Sequence, residues 1–216
     1  MDLRRVLPLS GIAFVVIALV AVIAIGGSTP TTGDSPQSMF DFYDDETVRQ
    51  AIASFVFAAS VPFLVFFAIS LAGASRDRSD EGAQLWRQVV VAGGVLTGAG
   101  ILASAWIHFA LADGADNGVS PTAIETLVTL DSDSWVAFNA ALGVMMLGAA
   151  GCLIPGGNRF MGWSALVLGI ALFIPFADFF ALLLTLIWII VESVILFRGA
   201  QTPTPLATVQ VTAQNG

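Results

Sequence analysis

The sequence predicts an all-α, polytopic membrane protein with six transmembrane helices and two short amphipathic helices on the outer face. Three observations carry this. Hydrophobic residues make up 56% of the 216 residues and charged residues only 11%, with a mean hydropathy of +0.86, more apolar than a soluble domain of this size needs. The apolar residues fall in long runs, most of them near the roughly 20 helical residues that cross a bilayer core of about 30 Å. The charges lie between these runs, and their sign alternates from loop to loop.

The spans are read at 6–26, 49–73, 88–112, 135–154, 160–174 and 177–197. The first follows Arg4 and Arg5, as a signal peptide would. Its apolar run is longer than the usual leader core and lacks a clear cleavage site, so it is read as a retained helix. The arginine pair lacks the surroundings of a twin-arginine signal. The second span carries Pro62 midway, which should kink it. In the third, Gly94 and Gly98 let a neighbour come close.

The last two spans come from one apolar stretch, Met161 to Arg198. A single helix through it would run roughly 55 Å, more than a bilayer holds. Pro175 breaks the ladder and Asp178 follows as a cap. Charge then decides between a hairpin and a re-entrant segment. With every span crossing, Arg4, Arg5, Arg76, Arg78, Arg87, Arg159 and Arg198 share one side, seven of the eight arginines. That is the positive-inside pattern, so both termini are expected in the cytoplasm of a prokaryotic cell, at its plasma membrane. Arg49 is the exception, within reach of Asp45 and Glu46 one turn away.

The two long outer loops resemble each other. Ser35-Pro36 and Ser120-Pro121 each read as a cap followed by the first helical residue. Met39, Phe40 and Tyr43, or Ile124, Leu127 and Val128, then give an apolar stripe, and acidic residues close each loop. Spans one–two and three–four thus read as related units. The 200–216 tail is Thr/Pro-rich and is expected to be disordered.

Ionisable groups at membrane depth are costly and mark the places to examine. Arg49, His108, Asn139 and Asp178 are expected at similar depth near the outer ends of their helices, as candidate ligand-binding residues around an outward cavity. Gln50, Ser54 and Ser104 stand nearby in sequence or on the same helix face. The alternative is that each caps a helix or meets interfacial water. Glu192, near the inner end of the last span, reads as half of an ion pair with Arg87 or Arg159, or as a coupling-ion site. The five tryptophans lie mainly toward segment ends, as an interfacial belt would.

Composition also excludes chemistry. All eight cationic residues are arginine, so there is no Schiff-base lysine. One cysteine, Cys152, permits neither an internal disulfide nor a CxxC pair. One histidine, His108, forbids bis-histidine haem ligation from one chain. The net charge of −8 argues against nucleic acid. No protease, metalloenzyme or phosphate-loop motif is present, and DGADNG at 113–118 lacks the calcium-loop pattern. No cofactor and no metal are expected.

From Phe55 onward, three stretches carry a likeness: ASRDRSDEGAQLWRQ, GGNRFMGWSALVLGI and LLLTLIWIIVESVILFR. On these the chain resembles an uncharacterised family of small polytopic membrane proteins common in actinobacteria, a domain of unknown function. The resemblance implies a six-helix bundle, names no activity and transfers no functional residue. Three functions follow in order. The first is a structural or accessory membrane component serving a protein partner or a homo-oligomer, marked by a dry bundle. The second is a small transporter or ligand- or lipid-binding protein, marked by a polar cavity. The third is a lipid-modifying enzyme, which requires His108 beside a carboxylate.

Overall fold

A computed structural model describes residues 6–73 and 81–201, without the side chains of residues 200 and 201. Arg4, Arg5, Arg76, Arg78 and the 202–216 part of the tail lie outside the described residues. The described chain is all helix, with no strand.

Helix α1 spans Leu7–Gly26. It opens on a 3-10 turn around Pro8, continues as α-helix over Ser10–Leu19 and widens to π-helix over Val20–Gly26. Gly27, at φ +67°, ends it, its N–H bonding the Val22 carbonyl at 3.1 Å. Such a left-handed stop suits a residue without Cβ. Helix α2, Pro36–Asp45, starts as expected, with the Ser35 hydroxyl accepting from the Ser38 amide at 3.2 Å. The expected kink in the second span is a break at Ser60 between α3, Thr47–Ala59, and α4, Val61–Gly73. Pro62 has no N–H to give the ladder there.

Helices α5, Glu81–Asp116, and α6, Pro121–Leu153, form a long antiparallel hairpin. This corrects the expectation of a second separate amphipathic helix. Pro121 does open a helix, but that helix runs on into the membrane span. No Gly or Pro interrupts the chain from Thr122 to Leu142, and the Ser134 hydroxyl returns its hydrogen to the Asp131 carbonyl at 2.7 Å. The stripe anticipated for that loop is buried all the same. Ile124 and Val128 pack with Met39 and Tyr43 of α2 and with Leu111 and Ala115 of α5.

Helix α7, Arg159–Ala171, has 13 residues, about 20 Å of rise. Helix α8 is Asp178–Gln201. Between them Phe176 adopts φ +70°, the sole such non-glycine residue among those described. Among the described residues, five helical spans are long and apolar enough to cross a membrane: α1, α3 with α4, α5, α6 and α8. The sixth apolar helix, α7, is shorter than a bilayer core. Ile23, Phe55, Trp106, Val167 and Phe180 are all more than half exposed. An apolar surface of this kind is consistent with a multi-pass membrane protein.

Glycines set how closely these helices pack. A Cβ on Gly93 would collide with the Met145 backbone, and one on Gly100 would lie 2.8 Å from the Phe138 Cβ, so α5 and α6 meet almost backbone to backbone. On the other face of α5, a Cβ on Gly94 would lie 2.6 Å from the Ala68 Cβ of α4. Trp188 is not an interfacial tryptophan. It is buried, and its indole N–H donates to the Met161 carbonyl at 3.2 Å and the Ser164 hydroxyl at 3.1 Å.

The α7–α8 turn stops low in the bundle. Gly169 of α7 is level with Gly143 of α6, its carbonyl 3.1 Å from where a Gly143 Cβ would lie, and α7 ends two residues on at Ala171. Twelve residues of α6 separate Gly143 from Asp131, about 18 Å. The bundle therefore tapers. Six helices gather at the end carrying Arg87, Arg159 and Arg198; at the acidic end α1, α3, α5 and α6 remain, with α2 packed on the α5–α6 hairpin.

Candidate functional site

At the acidic end, four helices bring their polar groups to one place. His108 of α5 lies between two partners: its Nδ1 is 2.9 Å from Asp131 Oδ2 of α6, and its Nε2 is 2.9 Å from Gln50 Oε1 of α3. Gln50 is fully buried and donates through Nε2 to the Gly26 carbonyl at 3.0 Å. That carbonyl ends the π stretch of α1 and has no ladder partner further along, so the amide supplies the missing donor.

The orientation of Gln50 has a consequence for His108. With the amide nitrogen committed to Gly26, Oε1 must face the histidine, and Nε2 must carry a proton to meet it. Nδ1 faces a carboxylate oxygen. Each contact needs one hydrogen, and a neutral imidazole has one to give. The network is therefore complete only with one proton more than a neutral imidazole and an ionised carboxylate hold together.

Two serines extend the wall. Ser134 gives its only hydrogen to the Asp131 carbonyl, so Ser104, 2.8 Å away, is the donor in their contact. Tyr43 of α2 packs edge-on against the imidazole, with ring centroids 5.9 Å apart. Burial, and behind it the Asp131 charge, pushes the Tyr43 hydroxyl above the usual tyrosine range. His108, Asp131, Ser104 and Ser134 border a cavity of about 250 Å³, whose remaining wall is largely apolar and includes Ala21, Ala53, Phe57, Trp135 and Phe138.

Of the four residues singled out from sequence, His108 lines this cavity. Arg49 lies near its rim: a Cβ on Gly27, which lines the cavity, would be 3.8 Å from its Nη1. Its Nε is 3.0 Å from Glu46 Oε2, a charge contact without hydrogen-bond alignment, and the guanidinium sits 6.0 Å over the Phe42 ring. This is the local pairing the spacing allowed. Asn139 is buried within α6, with neither side-chain polar atom bonded, and it does not line the cavity. Asp178 caps α8, accepting from the Phe179 amide at 2.9 Å, and does not line the His108 cavity.

Sequence reading placed Asp131 in a loop as a capping residue. A signal for its true position was present: Ile124, Val128 and Asp131 fall at i, i+4 and i+7, one stripe of a continuous helix. No serine, threonine or cysteine is bonded to His108 among the described contacts, and no three metal-binding side chains gather among the described residues. Comparison with protein-family models, curated proteins and solved structures finds no match.

Proposed function

We propose that this is a multi-pass protein of the prokaryotic plasma membrane that binds a small cationic amphiphile in the cavity at its acidic, outward end. Both termini are then cytoplasmic, in keeping with the arginines at the opposite end. The observation that carries the reading is the His108–Asp131 pair on the wall of an otherwise largely apolar cavity. Pockets of this make-up hold a ligand by its apolar body and orient it by few polar groups. Asp131 has acceptor capacity beyond its one contact with the histidine, so it can receive a ligand's donor as well. Asp41 and Asp44 of α2, Asp113 and Asp116 of α5 and Asp133 of α6 lie on the helices of this end and outnumber Arg49 at the rim, a balance that favours a cation there.

The accessory-component reading called for a dry, cavity-free bundle, which fits this geometry less well. The enzyme reading gains a histidine beside a carboxylate, yet Nε2 is held by Gln50 and not by a nucleophile. The actinobacterial likeness is compatible with any of these and selects none.

Trp135 provides the test, because it lines the cavity. Octylammonium titrated into the purified protein in nanodiscs should shift tryptophan emission, and Trp135→Phe should abolish the shift. Asp131→Asn should weaken binding about tenfold or more, the worth of a hydrogen bond to a charged group. Equal binding of octanoate, or no binding of octylammonium, would sink the proposal.

A further inference from the structure

The opposite end of the bundle holds a second cavity, of about 540 Å³, between α1, α4, the end of α6 and α8. Glu192 of α8 lines it and is fully buried. Neither carboxylate oxygen has a hydrogen-bond partner among the described residues. The ion pair expected from sequence is not made by the described arginines: Arg159 and Arg198 are exposed, and no bridge joins any of them to Glu192. Ser193, beside it, gives its hydroxyl to the Ile189 carbonyl at 2.7 Å.

An ionised carboxylate buried without a partner is among the costliest arrangements in a protein. Its surroundings indicate what would relieve it. Ser70 and Asn158 line the same cavity and carry side-chain oxygens. Gly73, at the end of α4, and Leu153, at the end of α6, bring the carbonyl ends of two helices, which favour positive charge. The starts of α1 and α7 also face the cavity and oppose that field, so the Glu192 charge decides the sign. The other titratable group on the described lining is the Cys152 thiol.

We propose that Glu192 anchors a site for a small monovalent cation, a proton or an alkali-metal ion, reached from the arginine end of the bundle. The site is separate from the His108 cavity and does not depend on the ligand proposed there. Its chemistry is one carboxylate completed by neutral oxygen ligands, in a pocket too apolar to tolerate the free charge.

A hydrophobic carbodiimide reacts with buried protonated carboxyls and supplies the test on the full chain in native membranes. Mass spectrometry should find the adduct on Glu192, and none at that position in Glu192→Gln. Raising sodium or potassium at fixed pH should slow labelling about tenfold if the occupant is an alkali ion. Slowing by raised pH alone would identify the proton. Either result supports the site. A rate indifferent to both, or no labelling of the wild type, overturns it. So does labelling that appears only after Arg4, Arg5, Arg76 and Arg78 are replaced by Gln, since an arginine would then be the natural partner. A second reading guards against misfolding: an alkali-ion occupant should raise the Tm of the wild type but not that of Glu192→Gln, whereas a proton should leave the difference between the two indifferent to salt and make it change with pH.

Discussion

Gln50→Leu tests the histidine network most directly. The side chain is fully buried and spans two helices, donating to the Gly26 carbonyl at 3.0 Å and accepting from His108 Nε2 at 2.9 Å. Leucine fills similar space but strands an acceptor on α1 and a donor on α5. Each stranded group costs about 1–3 kcal/mol, so the loss should reach about 2–6 kcal/mol. For a chain of this size that corresponds to a Tm lowered by roughly 5–20 °C. Thermal unfolding in nanodiscs measures it. A double-mutant cycle with His108→Leu should return a coupling of about 0.5–3 kcal/mol, the worth of one buried hydrogen bond. A Gln50→Leu protein within about 0.5 kcal/mol of the wild type, the range of an ordinary surface change, would refute the network. Additive single losses would show that the two side chains do not interact.

Three further outcomes are expected. His108 is the one histidine of the chain, so selective nitrogen-15 labelling gives a single imidazole signature: Nε2 should carry a proton, and Nδ1 should carry or share one with Asp131. A plain neutral ring with a free Nε2 lone pair would contradict the geometry. Gly93→Val places side-chain atoms against the Met145 backbone and should cost about 1–3 kcal/mol or more by overpacking, read as a lowered Tm; an unchanged Tm would mean α5 and α6 pack less closely. Tyr43 is the single tyrosine, and its hydroxyl is raised by burial and the Asp131 charge. Its folded form binds the proton more tightly than the unfolded chain, so its stabilisation is complete below about pH 10 and fades as pH climbs above it. Tyrosinate absorbance should stay absent from the folded protein just above that pH, and Tyr43→Phe should flatten the alkaline fall in stability.

The helices were legible because their signal is additive over many residues. Twenty apolar positions between arginines specify a span whatever their detailed packing. The Ser35 cap, the Pro62 break and the Pro175 turn follow from backbone chemistry that acts locally. The α5–α6 extension escaped because Asp and Ser in succession read as a loop, while inside a helix they find partners on another chain segment. Asp131 illustrates this: its meaning depends on His108, 23 residues earlier, and Gln50 depends on a carbonyl 24 residues before it. Depth was the other difficulty. Asp178 and His108 each sit near an end of an apolar run, but the short α7 draws one of those ends inward.

The taper of the bundle gives the molecule a shape as well as a site. With α7 and α8 turning back low, it occupies more area at its arginine end than at its acidic end. Embedded in a bilayer, it displaces more lipid from the leaflet at its arginine end than from the other. Such a wedge is least strained where the two leaflets already differ in crowding.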